Sequence, residues 1–158
     1  MIDPRRSGRY ERIYAQLHEL VAKSPSLTAA MATICAVLHH KMPHHLWTGF
    51  YLTSPGAGAG LRLHVGPYQG LVACQVLEDG GVCLHSVATR QPVVVPDVHA
   101  FPGHVACDER SQSEIVIPLL KGDRVMGVLD VDSDRLAQFD DDDIAPLQRI
   151  VSLLDPFL

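Results

Sequence analysis

Apolar residues recur at helical spacing from the start of the chain. Tyr10, Ile13, Tyr14, Leu17, Leu20 and Val21 fall three or four apart, which predicts an amphipathic helix over residues 9–22. The stretch KSPSL breaks it. Ser26 can then cap a second helix whose apolar stripe is Leu27, Met31, Ile34, Cys35, Leu38 and Met42. Cys35 lies inside that stripe and reads as a packed core thiol.

From residue 45 the period changes to two. Leu46, Thr48, Phe50 and Leu52 alternate with Trp47, Gly49 and Tyr51, the signature of a strand with two distinct faces. SPGAGAG reads as a flexible turn and LRLHV as a second strand. GPYQG punctuates again before a third strand at about 71–77. EDGG then turns the chain into a short helical segment near 82–90, ended by Gln91-Pro92. PVVVPDV is a fourth strand. After a loop over 99–113, EIVIPLL and VMGVLDVDS form two strands around the tight turn KGDR. The four aspartates of FDDDDIAPLQRIVSLL suit a helix N-terminus, where capping and the helix dipole favour negative charge, better than a metal site. Helices bracketing a run of antiparallel strands, with one helical crossover, define an α+β arrangement with helices segregated to one side of the sheet.

Composition narrows the function classes. The chain has 158 residues, 47% of them apolar and 20% charged, with a net charge of -5. A chain of this length sustains one core without staples. The acidic balance argues against a nucleic-acid partner, which needs a basic stripe. No run approaches the roughly 20 apolar residues that span a bilayer, and the basic N-terminus has no apolar segment behind it. The expected setting is the cytoplasm, where Cys35, Cys74, Cys83 and Cys107 are reduced unless chemistry oxidises them.

Two clusters then carry candidate chemistry. Cys74, Cys83 and Cys107 fall within 34 residues of one another in Gly-rich or charged surroundings. A zinc site using Cys83, Cys107 and His99 or His104 has only the His99-x₄-His104 pair among the ligand spacings of structural zinc, a weak match alone. A thiol redox centre fits better: one thiolate is oxidised and a neighbouring cysteine resolves the product as a disulfide. His104 and Arg110 stand near Cys107 in sequence and would lower its pKa. The second cluster is acidic. Asp130 and Asp132 lie two apart on one strand and Glu114 opens its partner. Carboxylates on apolar strands are costly to bury alone, and a ligand ammonium would satisfy them with three donors and a full positive charge. Trp47 and Tyr51, with Gly49 between them, would wall a box for a small sulfur-containing or cationic group.

These strings resemble a known family. WTGFYL, GPYQG-x₂-AC, GVC, VPDVHAFPGHVACD, SEIVIPL and GVLDVDS are similar to the free methionine-R-sulfoxide reductases, stand-alone GAF-domain enzymes, over about residues 45–140. The resemblance implies a single GAF domain over 1–158, with a GAF-like α+β fold and a mainly antiparallel sheet flanked by N- and C-terminal helices. It implies Cys107 as nucleophile, Cys74 and Cys83 as its thiol partners, and a substrate site of Trp47, Tyr51, Glu114, Asp130 and Asp132. It implies a free methionine-(R)-sulfoxide substrate, a thioredoxin-type reductant, and no metal or organic cofactor. Between the two candidate resolving thiols Cys83 is favoured, since the EDGG turn would let it swing. The chain departs from the family pattern at Leu84 and His85, where Gly follows the middle cysteine, and in a Cys74–Cys83 loop one residue shorter. A non-catalytic GAF sensor and a thiol-based peroxide sensor are the alternatives, and whether the chain forms a homodimer stays open.

One geometric requirement follows. If KGDR closes by a two-residue turn, facing residues sum to an odd number, and Glu114 points away from Asp130 and Asp132. The three carboxylates converge only if the hairpin has an odd-length loop or a β-bulge, or if Glu114 precedes regular pairing.

Overall fold

The computed structural model describes residues 3–55, 60–105 and 107–158; most of the SPGAGAG turn lies outside them. Helix α1 spans Pro4–Val21, earlier than the apolar periodicity suggests. Asp3 accepts a hydrogen bond from the Arg5 amide, Pro4 occupies the first turn, and the first residues are exposed and polar, so no apolar stripe marks them. Helix α2 spans Leu27–Lys41 and is capped by the Ser26 side chain as expected.

Six strands follow: β1 Trp47–Pro55, β2 Leu61–Gln69, β3 Val76–Leu77, β4 Val93–Val95, β5 Ser113–Lys121 and β6 Arg124–Ser133. They form one antiparallel sheet in the order β3-β2-β1-β6-β5-β4. Helix α3, Val82–Thr89, precedes β4, and α4, Ile144–Val151, follows β6.

Three strands differ from the sequence expectation: of PVVVPDV only Val93–Val95 pairs as β4, Val98 instead opening a 3-10 turn capped by Asp97, and β2 and β3 also depart. β2 continues through GPYQ because its register against β1 shifts between Gly49 and Tyr51, and a bulge accommodates Pro67 inside a strand. β3 is two residues long rather than seven. Leu71 and Val72 are exposed, and the stretch before β3 is a loop that carries Cys74.

The sheet separates two apolar clusters. On one face α1, α2 and α4 bury Ile13, Leu17, Ile34, Leu38 and Leu147 against Phe50, Ile115, Ile117, Leu129 and Val131. On the other, α3 places Val82 and Val87 near Trp47, Tyr51, Val116 and Val128. The helices are therefore not all on one side: α3, the crossover, covers the opposite face. The aspartate run is a helix start. Asp140 accepts from the Asp142 amide, Asp143 accepts from the Asp140 amide, and both receive Arg6 at 3.0–3.1 Å. Tyr10 Oη donates to Asp143 at 2.8 Å, so this acidic run ties α1 to α4.

The β5–β6 hairpin settles the parity question. Lys121 pairs with Arg124 and Leu120 with Val125, the odd register of a two-residue turn. Between Leu119 and Leu120 the register shifts, with Leu119 opposite Gly127, so Met126 is the extra residue of a bulge. Beyond it Glu114 faces Asp132 and Val116 faces Asp130. One bulge turns Glu114 onto the aspartates' side of the sheet.

Candidate active site

The site is built on the α3 face of β1, β5 and β6. β1 pairs Trp47 with Asp132, Gly49 with Asp130 and Tyr51 with Val128. Facing residues share a side of the sheet, so Trp47, Tyr51, Glu114, Asp130 and Asp132 all project together. They line one cavity, which Cys83, His104 and Cys107 also border. Gly49 is required there: a Cβ would collide with the Trp47 ring and with Cβ of Tyr68. The Trp47 indole consequently lies down across the strand, stacked on Tyr51 (centroids 5.6 Å) and Tyr68 (5.2 Å). Tyr51 Oη donates to the Cys74 carbonyl at 3.0 Å, joining the aromatic wall to the cysteine loop.

The floor is acidic and dry. Glu114 and Asp130 are only 5% and 6% exposed, and Asp132 is half-buried. Burial pushes the Glu114 carboxyl well above the usual carboxylate range, and the Asp130 and Asp132 charges push it further. Burial, then the charge of Asp130, does the same to Asp132. Asp130 is also raised by burial, opposed by hydrogen bonding to Glu114 and Cys83. Burial thus opposes ionisation of all three carboxyls, a cost that an incoming cation would relieve. Ser111 Oγ donates to Asp132 Oδ1 at 3.0 Å. Among the described residues, Asp130 Oδ1 and Trp47 Nε1 are buried with no hydrogen-bond partner. A buried acceptor and a buried donor left open in one cavity are costly unless a ligand completes them.

The thiols occupy two environments. Cys74 and Cys107 are joined in a disulfide, with Cα atoms 5.4 Å apart and a sequence separation of 33. Cys107 is exposed and Cys74 half-buried. Cys83 is a buried free thiol in the first turn of α3, 3.9 Å from Glu114 Oε1. Burial, then the charge of Asp130, pushes its pKa well up. This corrects the preference for Cys83 as the partner of Cys107. The EDGG turn does not leave Cys83 on a swinging loop, because α3 packs it into the apolar cluster under the sheet. The expected helpers of Cys107 are also otherwise engaged. Arg110 grips Asp108 at 2.8 Å. Burial, then His99, lowers the pKa of His104, which is therefore uncharged at neutral pH. Cys35 sits fully buried in the opposite core, as expected.

The structure groups Cys83 with Glu114 and Asp130 as potential metal donors, not with His99 or His104. Leu84 packs into the apolar cluster and the His85 ring meets Phe101 edge-on at 5.7 Å. Neither borders the cavity. Sequence reasoning missed Tyr68 and Ser111. Tyr68 was hidden inside a Gly-Pro stretch that reads as punctuation, and nothing local to Ser111 reveals its hold on Asp132.

Fold and site together define a GAF-domain protein, and residues 24–155 match the GAF domain family. The chain is 39% identical to GAF domain-containing protein A of Dictyostelium discoideum over 148 residues, 93% of this chain and 90% of that protein. It is 37% identical to the free methionine-R-sulfoxide reductase of Escherichia coli over 150 residues, 94% and 88% of the two chains. The structure of the Neisseria meningitidis free methionine-R-sulfoxide reductase in complex with its substrate superposes with a TM-score of 0.86 at 38% identity, covering 93% and 86%. The chain belongs to the free methionine-R-sulfoxide reductase family.

Proposed function

We propose that this protein reduces free L-methionine-(R)-sulfoxide to methionine, within one GAF domain over 1–158. The observation that carries the reading is a Cys74–Cys107 bridge at the rim of a cavity with an acidic floor and an aromatic wall. The substrate is small and zwitterionic. Its ammonium would lie against Glu114, Asp130 and Asp132, which supply the negative charge that burial otherwise makes unfavourable. Its methyl-sulfur end would lie against Trp47 and Tyr51.

The sulfoxide oxygen passes to the Cys107 thiolate: the Cys107 Sγ–O bond forms as the substrate S–O bond breaks, the substrate sulfur keeps the electron pair and leaves as methionine, and Cys107 becomes a sulfenic acid once its oxygen is protonated. A carboxyl of the floor, protonated through burial, supplies the proton. The Cys74 thiol then condenses with the sulfenic acid, water departs, and the resulting disulfide is the protein oxidised by the two electrons given to the substrate. A thioredoxin-type dithiol restores both thiols. Cys83 serves the floor as an uncharged thiol. A homodimer and a cytoplasmic setting complete the proposal; among the described residues no helix is long and apolar enough to cross a membrane.

The test is NADPH consumption with thioredoxin and thioredoxin reductase, on separate R and S epimers of free methionine sulfoxide. Turnover of the R epimer alone is the expected result. Substrate binding without turnover would replace the reading by a small-molecule sensor, and turnover of peroxide without methionine sulfoxide by a peroxide sensor.

A further inference from the structure

One thiol stands beside the acidic floor and outside the disulfide. Cys83 Sγ is 3.9 Å from Glu114 Oε1. One donor atom from each of Cys83, Glu114 and Asp130 lies within 4.8 Å of the others, and all three residues are buried. A second observation is independent of that clustering. Asp130, only 6% exposed, borders the cavity with an Oδ1 that has no hydrogen-bond partner among the described residues. An ammonium can satisfy that oxygen with an N–H, but so can an ion that takes its lone pair directly.

We propose that Cys83, Glu114 and Asp130 form a three-donor site for a thiophilic divalent cation, of which Zn²⁺ and Cd²⁺ are the representatives. The thiolate sets the class, because hard ions such as Mg²⁺ and Ca²⁺ take oxygen ligands alone. The spacing suits it. A tetrahedral Zn²⁺ with sulfur at about 2.3 Å and oxygen at about 2.1 Å holds them roughly 3.6 Å apart, so the Cys83–Glu114 distance needs little closure. Three protein donors leave a fourth position toward the cavity, as in zinc sites that keep an exchangeable ligand. On binding, the S–H bond of Cys83 breaks, sulfur keeps the electron pair and donates it to the ion, and the proton leaves to solvent. No electron is transferred. The ion and a substrate ammonium would exclude one another, a consequence that rests on the reductase reading.

The test uses oxidised wild-type protein, whose bridge ties up Cys107, the other cysteine lining the cavity, together with Cys74. Titration with Cd²⁺ should give a thiolate-to-cadmium charge-transfer absorption that saturates at one equivalent. Cys35→Ser should keep the band, Cys83→Ser should lose it, and Asp130→Asn should weaken affinity by about tenfold or more. An absent band, a band retained in Cys83→Ser, or an unchanged affinity in Asp130→Asn overturns the site. Turnover of free methionine sulfoxide by the metal-free, reduced protein is measured alongside. Turnover without a cadmium band overturns the cation site alone, whereas a band without turnover upholds it and removes the reductase reading.

Discussion

β5 and β6 present two chemically opposed surfaces from alternate residues. Ile115, Ile117, Leu129 and Val131 enter a core sealed by α1, α2 and α4. Their immediate neighbours Glu114, Asp130 and Asp132 enter a cavity bordered by thiols and closed in part by α3. The first surface is apolar and filled, and burial there stabilises the fold. The second gathers carboxyl groups where burial opposes their ionisation, which destabilises the empty protein and favours a cation. A strand alternates faces at every residue, so stability and chemistry can be changed separately by moving one step along the chain.

The sharpest way to break that separation is at the cavity rim. Cys107→Ser should abolish turnover while leaving the melting temperature of the reduced protein and its affinity for substrate nearly unchanged, since floor and wall remain. Calorimetry and a coupled assay on one preparation check this, and substantial residual activity would displace Cys107 as nucleophile. The converse change is Leu129→Ala on the filled face. It should cost about 2–5 kcal/mol in denaturant unfolding by leaving a cavity, with turnover per folded molecule largely retained.

A subtler test asks whether the acidic floor destabilises the empty protein. Glu114→Gln should raise KM about tenfold to a hundredfold through loss of a charged hydrogen bond, yet stabilise the unliganded protein. The raised pKa of Glu114 fixes the sign. Its stabilising contribution is fully present below the ordinary carboxylate value and is lost as pH rises through the higher folded value. Gln does not ionise, so the variant's advantage in melting temperature should widen with rising pH; a constant offset would remove the floor as its source. Smallest of all, Cys35→Ser should cost of order 1 kcal/mol, for a buried apolar thiol becomes a hydroxyl. Its Sγ already reaches the Pro67 carbonyl at 3.3 Å, and turnover should stay close to wild type.

Local signals made much of this legible. The stripes of α1 and α2, the Ser26 cap, and the alternation that sends Trp47 and Tyr51 one way and Phe50 the other are written into neighbouring residues. So is the placing of Asp130 and Asp132 on one face. What failed were features decided by distant partners. Leu71 and Val72 have strand-like composition but only an exposed loop to occupy, and Pro67 enters a strand because β1 tolerates a bulge opposite it. Cys83 stands beside carboxylates and outside the Cys74–Cys107 bridge because the first turn of α3 packs it into the apolar cluster against the sheet, a placement that no local periodicity records.

The bulge at Met126 puts a count, rather than a contact, in charge of the site. Exchanging Met126 for another residue alters one side chain and leaves the tally between Leu119 and Gly127 intact. Inserting or deleting a single residue there shifts the parity, sending Glu114 toward the apolar core and Ile115 into the cavity. The hairpin is thus far more exposed to changes in length than to changes in spelling, and lineages of this protein should drift freely in the identity of residue 126 while holding its presence fixed.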